Sequence, residues 1–452
     1  MLTVAEAQSI IASAARPLPM VHCPLAQAAG LVLAADIRLD MDAPPFDRAT
    51  VDGFAVRAAD ATAGATLAVI GIQDAGGPSA PPVAPGCCVA VNTGGIVPVG
   101  ADAVVMVEVT HYINNDKTQV RIDQSPERPV KAGAGIGYRG SDMAAGNVVL
   151  RAGQVLGPAQ LAVAATAGQA LLPVIRRPRV AVLVTGDELI NPAESPVAGQ
   201  IRNSNSTLLS GLVGAAGVQC VDLGVSRDDA AALREKLARG LAAADVTLVS
   251  GGMSMGTRDL APAVWETLGV QCLLHGVSMK PGKPFYFGVH DDNAAAGRGG
   301  GPSGMAGGDC ESRDLIKRVY VAGLPGNPVS AFVCCVRFVM PLLAQLGGVR
   351  RPREALATGI CAVDLPANGD REFYQPALAA IGEDGRTQLR PLGWKSSADL
   401  FTLAQANALL VHAAHAESQC AGSAASYLAL DFLAAPPALG WAHAADLSEA
   451  PA

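Results

Sequence analysis

The chain has 452 residues, of which 33 are basic and 40 acidic, so its formal net charge at pH 7 is −7. Charged residues make up 16% of the chain and hydrophobic residues 50%, which is enough apolar material for buried cores and excludes global disorder. Because the sequence contains no long basic run, we expect no nucleic-acid partner, and any anionic ligand must be held by local positive charge.

The length predicts about two to four domains. No stretch reaches the roughly 18 uninterrupted apolar residues of a membrane span, and acidic Glu6 precedes every basic residue, unlike in a secretory signal. We therefore expect a cytoplasmic protein with no membrane partner. The ten cysteines show no CxxC and no metal-ligand spacing with the seven histidines, which argues against zinc clusters and a disulfide framework.

The N-terminal part of the sequence predicts two helices around a small β module. Thr3 and Glu6 have the spacing of a capping box before an Ala-rich helix that should end at Arg16 and Pro17. Short β-branched runs between Gly/Pro clusters, at 67–70, 88–91 and 103–107, then predict strands. Pro158, preceded by Gly157, begins a second helix that should run to residue 167.

From residue 179 the pattern changes to alternating strands and helices. The predicted strands lie at 180–184, 219–223, 246–250, 272–277, 285–289 and 319–322, and the predicted helices at about 204–216, 228–243, 259–268 and 329–346. This alternation predicts a doubly wound, mostly parallel α/β sheet domain. The Gly-rich stretch at about 291–318 is expected to be a mobile surface insertion joining two strands, and runs at 371–375, 387–390, 408–412 and 427–432 predict a small C-terminal β domain.

Three of these strands are followed by distinctive loops, at 185–188, 250–256 and 323–328. Because ligands of such sheets bind beyond the carboxyl ends of the strands, we expect one shared cleft. Backbone N–H groups of Gly251 and Gly252 can bind a phosphate, although a purely structural turn explains the glycines equally well.

Carboxylates also follow these strands. Asp187, Glu188, Asp228 and Asp259 would repel one another at one edge of the sheet, and a bound divalent cation best explains their convergence. Each Asp taken singly is also a common helix cap, and Asp228 is expected to head the helix after Arg227.

The segment 280–284 places Lys280 and Lys283 around a Pro-Gly turn, where both ammonium groups can face one tetrahedral oxyanion. Two solvated turn lysines are the alternative. Gly326, Asn327 and Ser330 belong to a second helix N-terminus suited to an anion. Together these segments predict a site for a phosphate and a second oxyanion with a metal between them.

Two common motifs also match. The segment 252–256 fits the G-x-S-x-G elbow of hydrolases, but Gly251 and the nearby acids favour a phosphate loop. The segment 135–140 fits G-x-G-x-x-G without a preceding apolar strand, and no GxxxxGK[ST] loop is present, so neither dinucleotide nor P-loop chemistry is supported.

Several motifs in this order resemble those of one known family. They lie at 45–55 (PFDRATVDGFA), 93–94 (TG), 140–142 (GSD), 185–189 (TGDEL), 250–254 (SGGMS), 280–284 (KPGKP) and 324–330 (LPGNPVS). The chain resembles the molybdopterin molybdenumtransferases, the family of bacterial MoeA and the gephyrin E-domain. The resemblance implies that molybdate is inserted into adenylylated molybdopterin, with Mg²⁺-dependent release of AMP, to give molybdenum cofactor.

The resemblance also implies an elongated homodimer of four subdomains. Their predicted bounds are 1–54 with 139–178 for an elongated helical/β linker domain, 55–138 for the β module, 179–346 for the molybdopterin-binding domain and 353–435 for the C-terminal domain. Asp52 and Thr93 would then reach the cleft of the other subunit. Molybdopterin adenylyltransferase and proteins that deliver the cofactor to molybdoenzymes are the implied protein partners.

Residue roles follow from the same resemblance. The implied catalytic residues are Asp52, Glu188, Asp228, Asp259 and Lys280, with Asp228 and Asp259 holding the metal. The implied substrate-binding residues are Thr93, Asp142, Gly251, Gly252, Ser254, Lys283, Pro284, Gly326, Asn327, Ser330, Arg371 and Ser397. Lys280, Lys283, Pro284 and Ser330 would form the molybdate pocket, completed by Arg371 and Ser397, for which an ordinary surface role is the alternative.

Three features depart from the family pattern. Arg48 stands where many relatives have Asn, Gly276 stands where several have Lys, and typical members lack the Gly-rich insertion. His275 is expected to replace part of the missing positive charge. Two rival functions stay open, a molybdopterin adenylyltransferase and a non-catalytic molybdopterin-binding scaffold.

Overall fold

A computed structural model describes residues 1–253, 260–292, 317–350 and 356–430 of the chain. Within these residues the helices are α1 (Val4–Ala14), α2 (Pro158–Thr166), α3 (Asn205–Ala215), α4 (Ala230–Ala243), α5 (Ala261–Thr267), α6 (Pro328–Cys334), α7 (Met340–Leu346) and α8 (Leu400–Leu403). The first strands are β1 (Met20–Pro24), β2 (Val32–Leu33), β3 (Ile37–Arg38), β4 (Arg48–Ala49), β5 (Gly53–Val56), β6 (Thr66–Gln73), β7 (Cys87–Val91), β8 (Ala103–Met106), β9 (Thr110–Tyr112), β10 (Gln119–Ile122), β11 (Ile136–Gly137), β12 (Val148–Leu150) and β13 (Leu171–Ile175). The remaining strands are β14 (Arg179–Thr185), β15 (Leu189–Ile190), β16 (Ile201–Arg202), β17 (Gln219–Ser226), β18 (Val246–Ser250), β19 (Gln271–His275), β20 (Met279–Lys280), β21 (Tyr286–Asp292), β22 (Lys317–Leu324), β23 (Ala357–Cys361), β24 (Glu372–Ile381), β25 (Thr387–Pro391), β26 (Ala408–His412) and β27 (Ala424–Ala429).

The chain divides into two compact units. The first unit is His22–Val174, and the second consists of Met1–Val21 together with the chain from Ile175 onward. In the first unit, strands β8, β5, β7, β6, β10 and β9 pair in that order in one sheet, so the predicted small β module is present. Smaller sheets pair β1 with β13 and β2, β11 with β4, and β12 with β3. Helix α2 begins with Pro158 after Gly157 at its N-cap, as the sequence predicted.

The second unit is built around a six-stranded sheet in the order β17, β14, β18, β22, β21, β19. The first four strands run parallel, and β21 is antiparallel to both of its neighbours. The predicted mostly parallel sheet is therefore confirmed. The long connection after residue 292 joins the two strands of an antiparallel pair, β21 and β22.

Helices cover both faces of this sheet. Val180 and Val182 of β14 belong to a core with α1, α3, α6 and α7, whereas Ala181 and Leu183 belong to a core with α4 and α5. A parallel strand covered on both faces is apolar at every position, which is why β14 reads as a continuous apolar run. The N-terminus of α1 carries the predicted capping box, with Thr3 Oγ1 accepting from the Glu6 N–H at 3.2 Å.

The C-terminal sheet closes into a barrel. Strands β24, β25, β23, β27 and β26 pair in that order, and β26 pairs back with β24. The short strand β20 pairs with β24 in parallel, with Lys280 opposite Phe373. Lys280 therefore lies in a strand at the edge of the C-terminal sheet, although it precedes its partner Phe373 by 93 positions in the printed sequence.

Two predicted helices differ from those in the structure. Asp228 does not head α4; Asp229 is the N-cap and accepts from the Ala232 N–H at 2.8 Å. The two aspartates are adjacent and the same residue type, so local sequence does not separate them. The predicted helix 329–346 is interrupted by a π-helical turn, Cys335–Val339, that carries buried Arg337, whose Nε donates to Tyr374 Oη at 2.8 Å.

Among the described residues, the helical segment Pro328–Leu346 is long and apolar enough to cross a membrane by length and composition. Its most apolar window is 78% buried inside the protein, as expected for a core helix. The predicted helix start at Asp259, residue Ser254 and the tip of the Gly-rich insertion lie outside the described residues. The predicted subdomain bounds at 54, 138 and 178 stay predictions.

Candidate active site

The three loops predicted to share a cleft line one cavity of about 1260 Å³ in the second unit. Strands β14, β18 and β22 are adjacent and in register, so Val184 lies beside Ser250 and Ser250 beside Leu324. Their carboxyl ends consequently open on the same side of the sheet. The Gly251 N–H donates to Leu324 O at 3.1 Å, which keeps the loop after β18 against the end of β22.

The glycine loop is closely packed. Gly251 has φ +98°, and a Cβ at this position would lie 2.5 Å from Thr185 O. Gly252 also has a positive φ, of +64°, and Gly326 lies directly against Gly251. Only glycine gives this backbone both the conformation and the space that it needs.

Buried Asn205 connects two of the loops. Its Nδ2 donates to Ser250 Oγ at 2.9 Å and to Gly326 O at 2.7 Å, and Ser250 Oγ in turn donates to Pro325 O at 3.0 Å. These bonds join the first turn of α3 to the ends of β18 and β22. The amide of Asn205 therefore fixes the floor of the cleft, a role that the sequence did not reveal.

The cavity wall is more basic than the protein as a whole. Five basic residues line it against two acidic ones; the basic residues are Arg202, Lys280, Lys283, Arg371 and Lys395, and the acidic ones are Glu188 and Asp228. The whole chain, in contrast, carries −7. The cleft is thus the local positive region that an anionic ligand of this protein requires.

The lysine segment contributes to the same wall. Lys280 and Lys283 are both exposed and line the cavity, whereas Pro281 and Gly282 between them are buried. Gly282 O accepts from Cys334 Sγ at 3.5 Å, which anchors the turn to α6. Both lysines of the predicted turn therefore line the cavity, and the turn between them is anchored; that their ammonium groups face one oxyanion stays a prediction.

Residues from two loops of the C-terminal barrel complete the cavity, one loop before β24 and one after β25. Arg371 and Ser397, both predicted from looser matches, lie in its wall. Ser397 Oγ accepts from Asn327 Nδ2 at 2.8 Å, and Ser397 O accepts from the Val329 N–H at 3.1 Å. Ser330 lies buried at the same end of α6. The barrel and the α/β sheet are thus joined at the predicted oxyanion pocket.

Only some of the predicted acidic residues line the cavity. Glu188 and Asp228 line the cavity, and the Asp228 N–H donates to Asp187 Oδ1 at 3.3 Å. Among the described residues, no group of three His, Cys, Asp or Glu side chains is arranged to hold a metal ion. The described part of the cavity wall thus contains two carboxylates, and Asp259, the second predicted ligand, lies outside the described residues.

Asp52, Thr93 and Asp142 belong to the first unit. Asp52 Oδ1 accepts from the Thr93 N–H at 2.6 Å and from Thr93 Oγ1 at 2.8 Å, and the backbone bond is the main reason that the pKa of Asp52 lies below its ordinary value. Asp142 is exposed and pairs with Arg48 at 3.5 Å, which gives Arg48 a partner in this unit. Asp52 is therefore an exposed, ionised carboxylate held in one orientation.

Sequence reasoning missed several cavity residues. Arg202, Asn203 and Asn205 precede or begin α3, and Trp394 and Lys395 follow β25. The polar run 202–206 before a predicted helix was the available signal for the first group. His275, expected to supply charge, does not line the cavity; its Nε2 lies 3.3 Å from Met253 O.

The fold and the cleft define a class: an α/β protein with a basic cleft at the carboxyl ends of its parallel strands, whose chain also contains a β module and a barrel. Three family models match the chain, the MoeA N-terminal region (domain I and II) at 2–168, the probable molybdopterin binding domain at 181–345 and the MoeA C-terminal region (domain IV) at 358–430.

Proteins named molybdopterin molybdenumtransferase match over nearly their whole length. The chain is 30% identical to that of Haemophilus influenzae, over 91% of this chain and 94% of the relative, and 33% identical to molybdopterin molybdenumtransferase 2 of Mycobacterium tuberculosis, over 91% and 95%. The crystal structure of a molybdopterin biosynthesis MoeA protein from Pyrococcus horikoshii aligns with a TM-score of 0.72 at 28% identity, covering 94% of this chain and 99% of that one. The chain belongs to the molybdopterin molybdenumtransferase (MoeA) family, which is a family of enzymes.

Proposed function

We propose that this chain transfers molybdenum from molybdate to adenylylated molybdopterin and releases AMP, giving molybdenum cofactor. The observation that carries the proposal is the cavity of about 1260 Å³. It is lined by a glycine loop, a lysine turn, Ser330 and Ser397, and its basic side chains outnumber its acidic ones. Both proposed substrates are anions, and the cavity has the size of the pockets that hold large ligands.

The described residues suit two neighbouring anions. The Gly251 N–H already donates to Leu324 O, so of the two predicted groups the Gly252 N–H would bind a phosphate, while Lys280 and Lys283 would bind the oxyanion. Arg371, Ser330 and Ser397 line the same cavity and would be further donors. Holding both reactants in one cleft converts a bimolecular encounter into a reaction between positioned groups, which accelerates the transfer.

The Mg²⁺ dependence remains part of the proposal, with Asp228 and Asp259 as the ligands. Asp228 and Glu188 are the carboxylates that the described part of the cavity wall offers to such an ion. A homodimer, a cytoplasmic location and transfer of the product to delivery proteins and molybdoenzymes belong to the same proposal.

The test is AMP release by purified protein supplied with adenylylated molybdopterin and Mg²⁺, with and without molybdate. We expect molybdate-dependent AMP release and formation of active cofactor. Lys280→Ala and Asp228→Asn should reduce AMP release at least tenfold, on the order of one lost charge-assisted contact. Lys131→Ala, which removes an exposed lysine of the first unit, serves as the control and should leave it unchanged.

Two outcomes would contradict the proposal. ATP consumption with adenylylation of free molybdopterin would favour the adenylyltransferase instead. Binding of adenylylated molybdopterin with no turnover under any metal or oxyanion condition would favour a scaffold.

A further inference from the structure

Lys280 lines the cleft and has an aromatic partner in the neighbouring strand β24. Its Nζ lies 4.8 Å from the centroid of the Phe373 ring, and the parallel pairing of β20 with β24 places the two residues opposite each other. In the part of the chain that the structure describes, no carboxylate lies within ion-pair distance of Lys280 Nζ. The ring is thus the partner of this ammonium group that the structure identifies.

The Phe373 ring is itself held by two other rings. Trp394 stacks with it at a centroid distance of 5.3 Å and an interplanar angle of 26°, and His412 stacks at 5.2 Å and 24°. His412 is buried and lies opposite Phe373 in the pairing of β24 with β26, and burial lowers the pKa of its imidazole. The neutral imidazole adds no second positive charge behind Lys280.

An aromatic partner differs from a carboxylate in its effect on charge. The ring quadrupole attracts an ammonium group within about 6 Å of its centroid and restricts where that group lies. It does not neutralise the ammonium, whereas a carboxylate would cancel most of the field that an oxyanion experiences. Lys280 can therefore be both fixed in position and fully charged.

We propose that Phe373 is a positioning residue, which together with Trp394 and His412 orients the Lys280 ammonium toward the oxyanion substrate. The inference rests on the proposed function in assigning molybdate as that oxyanion. Arg371 lies in the bend just before β24, two residues ahead of Phe373 in the chain, and it lines the same cavity as Lys280.

The experiment compares Phe373→Leu with Phe373→Tyr, which keeps the aromatic face. In Phe373→Leu the KM for molybdate should rise about five- to twentyfold, with kcat and the KM for adenylylated molybdopterin changed less than about twofold. Phe373→Tyr should stay within about twofold of the unmodified enzyme. If Phe373→Tyr is as impaired as Phe373→Leu, or if all three parameters move together, the positioning role is wrong.

A double-mutant cycle with Lys280→Ala isolates the interaction. Since Phe373 is proposed to act through Lys280, adding Phe373→Leu to Lys280→Ala should change the KM for molybdate no further. An undiminished effect of Phe373→Leu in that background would show a merely structural role and overturn the inference.

Calorimetric titration of the protein with molybdate alone separates this inference from the proposed function. Weaker molybdate binding by Phe373→Leu, dependent on Lys280, supports the positioning role even if the unmodified protein releases no AMP. The positioning role is overturned if the unmodified protein does not bind molybdate. It is also overturned if Phe373→Leu binds molybdate as tightly as the unmodified protein does.

Discussion

Gly251 adopts φ +98° with Thr185 O 2.5 Å from where a Cβ would stand. Gly251→Ala should therefore displace the loop after β18, lowering AMP release at least about tenfold and the free energy of unfolding by about 1–3 kcal/mol. Gly385→Ala is the matched control, because Gly385 has φ +75° with nothing within 4 Å. In this control, chemical denaturation should show a free energy of unfolding lowered by about 1 kcal/mol, and the AMP assay should show unchanged activity. Equal effects in both variants would mean that close packing around Gly251 is unimportant.

Asn205 offers a second test at single-residue resolution. Asn205→Asp replaces the Nδ2 donor by an acceptor facing Ser250 Oγ and Gly326 O, so we expect a loss of about 2–3 kcal/mol of unfolding free energy and impaired activity. At exposed Asn191 it is Oδ1 that accepts, from the Ala193 N–H at 2.9 Å, and an aspartate keeps that bond. Asn191→Asp should accordingly stay within about 0.5 kcal/mol. Comparable destabilisation of the two variants would contradict the bridging role.

Asp245 connects strands of the central sheet. Its carboxylate accepts from Arg176 Nη1 and Nη2 at 2.8 and 2.6 Å and from the Arg179 N–H at 2.8 Å, where β14 begins. Burial alone would raise the pKa of Asp245, but the Arg176 and Arg179 hydrogen bonds and the charges of Arg176 and Lys317 outweigh it, so the pKa lies below its ordinary value. A lowered pKa in the folded state stabilises the protein above the ordinary value of 3.8, and the stabilisation is lost as pH falls through the lower folded value.

Asp245→Asn should therefore cost about 2–3 kcal/mol at neutral pH, because it leaves part-buried Arg176 without its charged partner. The difference between the two proteins should shrink below about pH 4, as Asp245 of the unmodified protein becomes protonated. Urea unfolding of both proteins at neutral and acidic pH measures this difference in the free energy of unfolding. A difference independent of pH would show that the carboxylate charge does not matter.

At the scale of elements, the sequence predicted the sheet well because both faces of each central strand are buried. The apolar runs at 180–184 and 246–250 are local signals, and the glycines and acids after them mark the edge where ligands bind. The pairing of β20 with β24 was not predictable, since a two-residue strand has no pattern of its own and depends on a partner far along the chain. The structure places Lys280 in the cavity wall, its predicted anion-binding role stays a prediction, and its aromatic partner could not be inferred from the sequence.

The same limit explains the missed cavity residues. Arg202 and Lys395 belong to segments without a recognisable loop motif, and only the tertiary fold brings them to the cavity. The π-helical turn at Arg337 was missed because the residues on both sides of Arg337 are apolar and the run reads as a continuous helix.

The charge distribution of the whole molecule also has a measurable consequence. A protein of net charge −7 repels anions at long range, whereas the five basic side chains that line the described part of the cleft attract them nearby. Added salt screens these exposed lysines, so the KM for molybdate should rise several-fold between about 0.05 M and 0.5 M NaCl. Lys280→Ala should show a shallower dependence. A KM unaffected by salt would argue that buried hydrogen bonds, not these charges, bind the oxyanion.

The proposed homodimer leads to the largest-scale prediction, because the family resemblance assigns Asp52 of one subunit to the cleft of the other. Asp52→Asn and Lys280→Ala should each be nearly inactive alone. In a mixed dimer of the two variants, one site would have its Asp52 and Lys280 intact and the other would lack both. Random mixing should then restore about a quarter of the AMP release per subunit, with half of the dimers mixed and one of their two sites intact. Co-expression with two affinity tags isolates the mixed dimer, and analytical ultracentrifugation checks its size. If Asp52 serves the cleft of its own subunit, both sites of the mixed dimer carry one defect, and mixing restores nothing.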